Sequence, residues 1–293
     1  MDRFVSDQAA GLRRLLGQAG FQVITVMSGR KGAGKTAATA NLAVALARSG
    51  RDVLIIDQDK HGRGAAAALG LTPRFDVSDV IEGRCALEAL LLNGPDNVQV
   101  LPIGGSFNHL GRLSERDQEW LARSFNQLQC GVDVVLVDME EATDPDALPL
   151  GLAASEIMVV LPPGNAAITE GYTLVKRLAH NFGKRQFRLL LNRMESPEQA
   201  QAVAHNFTHT AERYLGVSVD YLGYIALDER LTRAGHLRTS VVDAFPVAQS
   251  TSQFRKLADG LLRWPQPPSL GSVGGFMQRV IEGSRLVDAC RRG

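Results

Sequence analysis

Long apolar runs, an excess of charge of either sign and clustered cysteines are all missing from this chain of 293 residues. No uninterrupted apolar stretch approaches the roughly 18 residues that a membrane-crossing helix needs. The first residues, MDRFVSDQ, lack the apolar core of a secretory signal. The expectation is a soluble protein, at most peripheral to a membrane. A formal net charge of +1 calls for neither nucleic acid nor an acidic substrate. Three scattered cysteines (Cys85, Cys130 and Cys290) without metal-ligand spacing fit a reduced, cytoplasmic compartment better than a disulfide framework. No Ser-His-Asp or Cys-His arrangement emerges, and no internal repeat is visible. His205 and His209 have the spacing of two metal ligands on a helix, but no third ligand stands out beside them.

What the chain does have is an ordinary globular composition, 45% hydrophobic and 22% charged. Four runs read as buried parallel strands: Val23–Met27, Val53–Asp57, Val134–Asp138 and Ile157–Leu161. They are rich in β-branched residues and apolar at successive positions, as strands covered on both faces must be. Phe187–Asn192 and Val219–Ile225 extend the set. Helices are expected between them at Thr36–Ser49, Glu115–Leu128, Thr169–Asn181, Pro197–Tyr214 and Ser252–Leu262. The alternation predicts an α/β fold, a doubly wound and mostly parallel sheet with helices on both faces. The organisation reads as an arm over 1–20, a main domain over 21–263, a Pro/Gly-rich linker over 264–275 and a C-terminal amphipathic helix over 276–293.

The strongest local signal is Gly29-Arg30-Lys31-Gly32-Ala33-Gly34-Lys35-Thr36, a match to G-x-x-x-x-G-K-[ST]. It follows one expected strand and opens an expected helix that begins Thr36-Ala37. Glycines let backbone N–H groups turn inward onto phosphate oxygens, and the helix N-terminus adds partial positive charge. Lys35 supplies a point charge to the β- and γ-phosphates, and the Thr36 hydroxyl suits Mg²⁺. Asp57 closes one strand, Asp59 follows it, and Asp138 closes another. Ligands of open α/β sheets bind outside the carboxyl ends of the strands, where these acids would gather.

Together these elements resemble the MinD/ParA-like ATPases, P-loop proteins of the SIMIBI class that dimerise face to face around two ATP molecules. The resemblance continues through Leu189-Leu-Leu-Asn192-Arg193, Gly223-Tyr-Ile-Ala-Leu-Asp228, Phe245-Pro246 and Phe254-Arg-Lys-Leu-Ala258, and spans roughly residues 21–262. It implies ATP and Mg²⁺ as cofactors. Thr36, Asp57 and Asp138 would serve the metal, Asp59 would position the attacking water, and Asn192 with Arg193 would lie at the adenine. The family's first loop lysine reaches the partner's phosphates in the dimer, and Arg30 stands at its position.

The arm narrows the resemblance. Asp7-Gln8-Ala-Ala-Gly-Leu12-Arg13 is similar to the D-Q-A-x-x-L-R motif of the FlhG/FleN-type flagellar number regulators. In that type the motif stimulates the FlhF GTPase, so an FlhF-type GTPase is the implied partner. Restraint of a flagellar transcriptional activator is a second implied output. Phe276, Met277, Val280 and Ile281 form an apolar stripe like that family's membrane-targeting helix, placing the protein peripherally at the inner face of the membrane, at the cell pole. A helix packed on its own domain is the other reading of the same stripe.

Three departures point to slow or absent turnover. Arg30 and Lys31 replace the family's lysine and glycine. The Gly-rich turn expected after Asp138 reads Met139-Glu140-Glu141-Ala142, which adds repulsive carboxylates and removes backbone donors. The stretch after Asp59, Lys-His-Gly-Arg-Gly, is unusually basic. A non-hydrolysing adaptor and a DNA- or division-positioning ATPase remain the alternatives.

Overall fold

The computed structural model describes residues 22–59, 61–104, 114–127, 131–139, 148–263 and 273–292. The first half of the order is β1 (Gln22–Met27), α1 (Lys35–Arg48), β2 (Val53–Asp57), α2 (Ala65–Ala68), α3 (Val77–Ile81), β3 (Leu92–Asn93), β4 (Val98–Pro102) and α4 (Glu115–Gln127). There follow β5 (Val134–Asp138), α5 (Leu148–Leu152), β6 (Glu156–Leu161), α6 (Asn165–Phe182), β7 (Gln186–Met194) and α7 (Pro197–Leu215). The order closes with β8 (Ser218–Ala226), α8 (Glu229–His236), α9 (Val241–Ala244), α10 (Gln249–Arg263) and α11 (Val273–Arg292).

The strands form one eight-stranded sheet in the order β3-β4-β2-β5-β1-β6-β7-β8. All neighbours are parallel except the β3–β4 pair at one edge. Every residue of β1, β2, β5 and β6 is buried, because helices cover both faces of these apolar runs. Side chains alternate between two cores. Ile24, Val26, Ile55 and Leu136 meet α1, α8, α9 and α10 on one face. Val23, Met27, Ile56, Val135 and Val137 meet α4, α6, α7 and α11 on the other.

The six expected strands and five expected helices are present, with ends shifted by up to four residues. β3, β4 and the short helices α2, α3, α5, α8 and α9 carry too few residues for a period to register. β4 is a five-residue interior strand that ends on Pro102 and is preceded by a turn with Asp96 at φ 52°.

At the C-terminus the apolar stripe lies packed on its own domain. Phe276, Met277, Val280 and Ile281 are buried in the domain, where α11 packs along α4 and α5. Burial of four such groups stabilises by about 1.5–3 kcal/mol each, an upper estimate that favours the docked helix in water. The helix also begins at Val273, three residues inside the expected linker. Among the described residues no helix is long and apolar enough to cross a membrane.

Candidate functional site

β1 lies in the middle of the sheet, and the chain leaves it through Ser28–Gly34 into α1. Two glycines of this loop need the left-handed region, Gly32 at φ 73° and Gly34 at φ 92°. Gly34 has a second reason to lack a side chain: a Cβ there would stand 2.0 Å from the Asn192 amide nitrogen. Gly29 is equally confined, since its Cβ would lie 2.4 Å from the backbone of Glu170 in α6. The loop is thus wedged between β7 and α6. No side chain caps the first turn of α1 and no acid stands in it, so its N–H groups and partial positive charge point to an anion.

Lys35 is only 8% exposed and donates from Nζ to Ser28 Oγ at 3.2 Å. Ser28 donates in turn to the Arg30 carbonyl at 2.7 Å, which ties the lysine to the loop's own backbone. From β7, Asn192 Nδ2 donates to the Ala33 carbonyl at 2.8 Å. Arg193 Nη1 donates to the Gly32 carbonyl at 3.2 Å, from a residue at φ 58°. The pair expected near adenine therefore braces the phosphate loop. Ala37 lies in the first turn of α1, where its carbonyl accepts from Asn41 Nδ2 at 2.7 Å.

Asp57 and Asp138 are register partners at the ends of β2 and β5, and both are buried. Asp57 accepts from Ala66 N at 2.9 Å and Asp59 N at 3.1 Å. Gly64 makes room for it, since a Cβ there would stand 2.1 Å from its carboxylate. Asp138 accepts a hydrogen bond from the Thr36 hydroxyl, yet its Oδ1 is buried with no hydrogen-bond partner. Burial pushes both carboxyls above the usual range. The Asp57 charge raises Asp138 further, while Thr36 and Lys35 pull it partly back.

An orphaned buried carboxylate oxygen beside a second buried acid and a threonine hydroxyl is a hard-oxygen donor set, which suits Mg²⁺. The glycine-lined loop and bare helix end beside it suit a phosphate chain. The residues present fit Mg²⁺-nucleotide.

Asp59 accepts at Oδ2 from His61 N at 3.0 Å and Arg63 N at 2.6 Å, so it closes the basic turn that follows it. Arg30 lies 3.5 Å from the Glu170 carboxylate, and the two side chains are 45% and 43% exposed. Lys31 is exposed at the loop tip. Ser28, Gly64 and Glu170 are site residues that sequence reading missed. Ser28 adjoins the loop and was open to suspicion, whereas Gly64 and Glu170 carry no local signal.

The Asp7–Arg13 motif and Glu140–Glu141 lie outside the described residues. His205 and His209 stack at 6.1 Å on the exposed side of α7, and no metal-binding group of three occurs among the described residues.

Residues 24–239 match the family described as the CobQ/CobB/MinD/ParA nucleotide binding domain. The antiactivator FleN of Pseudomonas aeruginosa is 33% identical over 262 residues, covering 89% of this chain and 94% of that protein. MinD of Pyrococcus horikoshii, solved with Mg-ADP, superposes with a TM-score of 0.64 at 24% identity, covering 83% of this chain and 96% of that one. MinD of Aquifex aeolicus gives 0.63 at 23% identity, covering 84% and 98%. These two likenesses carry the fold.

Proposed function

Since the chain belongs to the CobQ/CobB/MinD/ParA nucleotide-binding domain family, and is similar to FleN over most of its length, we propose that it is an ATP-binding regulator of flagellar number or placement. The observation that carries this reading is the pairing of Asp57 with Asp138 beside a phosphate loop that ends in an uncapped helix. In this reading Lys35 and the N–H groups of Gly32–Ala37 hold phosphates. Thr36, Asp57 and Asp138 hold Mg²⁺, which supplies charge neutralisation when bound. Asn192 and Arg193 keep the loop in its binding shape and lie at the adenine side. Arg30 leaves Glu170 to meet the phosphates of a second copy, so the dimer forms only with ATP bound. Asp59 holds the basic turn and orients water.

Residues 7–13 deliver the output to an FlhF-type GTPase, and restraint of a flagellar transcriptional activator is the second output. Peripheral membrane contact belongs to the same reading and requires α11 to give up its packing on α4 and α5. Two features favour slow turnover over fast: Arg30 in place of lysine, and Glu140–Glu141 following Asp138. A nucleotide-bound scaffold is therefore the second reading.

Calorimetry with ATP and Mg²⁺, with phosphate release followed on the same sample, tests both. Binding with turnover that climbs steeply with protein concentration supports the dimer switch. Binding without turnover supports the scaffold, and no binding sinks both. Capture of an FlhF-type GTPase by the full chain, lost on Gln8→Ala, separates this reading from a DNA- or division-positioning ATPase.

A further inference from the structure

α8 is an eight-residue helix that buries only Ala234 and leaves most of its length in solvent. Arg230 and Arg233 stand one turn apart on its exposed side, and Leu237, one turn beyond Arg233, is 60% exposed. Asp228 starts the helix by accepting from Arg230 N at 2.9 Å. Its other carboxylate oxygen accepts from Ser250 N at 3.1 Å and Ser250 Oγ at 2.7 Å, which ties α8 to the first turn of α10. The Arg233 guanidinium lies over the Phe245 ring, 5.9 Å from its centroid. Two residues further on, Val247 is 88% exposed, more than any other large apolar side chain among the described residues. Its turn is pinned from inside, because the Phe245 carbonyl accepts from Ala248 N at 2.9 Å and from the buried Thr251 hydroxyl at 2.8 Å.

Single exposed apolar side chains are ordinary, but here a stacked arginine joins Leu237 to the Phe245–Val247 turn. Stacking covers one face of the Arg233 guanidinium and leaves its N–H edge outward, with much of its rotamer freedom already spent. Neither Arg230 nor Arg233 makes an ion pair among the described residues. Of the acids nearby, Asp228 is held by backbone amides and Ser250, and Asp243 is paired with Arg48, which leaves only Glu229. The surface is therefore positive in a chain whose net charge is +1. Residues 227–248 contain three arginines and no lysine. Arginine with apolar groups, and without lysine, is the composition of a protein interface. A phosphate backbone would draw on lysine equally and give Leu237 and Val247 nothing to pack on.

We propose that the outer face of α8 and the Phe245–Val247 turn dock an acidic segment of a protein partner that also carries leucine or phenylalanine. Carboxylates of the segment meet Arg230 and the preorganised edge of Arg233, and its apolar side chains cover Leu237 and Val247. The surface uses neither the phosphate loop nor residues 7–13, so it stands apart from the nucleotide reading.

Fluorescence polarisation on the full chain without nucleotide tests it. The probe is a short labelled helical peptide of Glu, Leu and Ala, with Glu pairs one turn apart beside a leucine stripe. Two control peptides carry Gln for every Glu, or Ser for every Leu. The expected result is saturable binding of the first peptide, weakened by salt and lowered about tenfold in Arg233→Gln and in Val247→Ser. Arg233→Lys keeps the charge but loses the stacked edge, and gives a smaller loss. Arg213→Gln, at an exposed arginine of α7 on the opposite face of the sheet, changes nothing. The substituted side chains are on the surface, so melting temperatures stay within about 2 °C of wild type. Absence of saturable binding, equal binding of either control peptide, or affinity unchanged in both variants overturns the proposal. Tighter binding of a short DNA duplex than of the peptide, lost in Arg233→Gln, assigns the face to nucleic acid and overturns it too. So does a dimer in sedimentation that Val247→Ser abolishes, which assigns the face to a second copy.

Discussion

Asp57 and Asp138 face each other across neighbouring parallel strands, both buried, with one carboxylate oxygen of Asp138 left unpaired. Two acids that would repel and lose hydration when charged are held at the point where a phosphate loop meets its helix. Such an arrangement stores a demand for a cation, and the demand can be measured.

Without Mg²⁺, pH is the simplest probe. The Asp57 carboxyl is raised to about 6 and that of Asp138 to about 7, from an ordinary 3.8. Because folded values lie above unfolded ones, their contribution to stability is fully present below pH 4 and is lost as pH rises through 6 to 7. Metal-free protein should therefore melt progressively lower between pH 5 and 8. Asp138→Asn should flatten the profile and raise Tm at pH 8. A metal-free profile as steep in the variant as in the wild type counts against the assignment.

Gly64 tests whether the Asp57 position matters for the ligand. Its backbone is extended at φ −79°, so alanine brings no backbone strain, only a Cβ 2.1 Å from the carboxylate. Gly64→Ala should displace Asp57 and weaken Mg²⁺-nucleotide binding by tenfold or more, about 1.4 kcal/mol. Titration calorimetry with and without Mg²⁺ reads it. Unchanged affinity would place the metal elsewhere.

Glu170 tests what Arg30 is for. An ion pair this exposed is worth about 0.2–1 kcal/mol, so Glu170→Gln should barely move the melting temperature. If Arg30 is meant for the phosphates of a second copy, the substitution should increase the ATP-dependent dimer fraction in light scattering. Arg30→Ala should cancel the gain. A dimer fraction indifferent to both would remove Arg30 from the switch.

Phe276 tests the docking of α11. It is wholly buried, and truncation to alanine should cost about 3–5 kcal/mol. In a domain this size each kcal/mol lowers Tm by about 2–4 °C. A change under 1 °C would show that the helix is not docked in solution.

Sequence alone determined the parallel sheet and the phosphate loop, because both rest on local chemistry. Val-Val-Leu-Val-Asp138 can be buried on two faces only between helices, and Gly-Lys35-Thr36 after such a strand has few other uses. Asp57 and Asp138 were readable as strand-ending acids for the same reason. Tertiary structure alone decided what lay between distant segments. Chain order does not say that β5 inserts between β1 and β2, yet that insertion makes Asp57 and Asp138 neighbours. Nothing near Asn192 in the chain says that its amide reaches the Ala33 carbonyl, which depends on β6 alone separating β7 from β1. The amphipathic stripe of α11 fits lipid and protein equally well as a pattern. Burial of an apolar face is driven by area and is non-directional, so the pattern could not say that α4 and α5 are what this stripe packs on here.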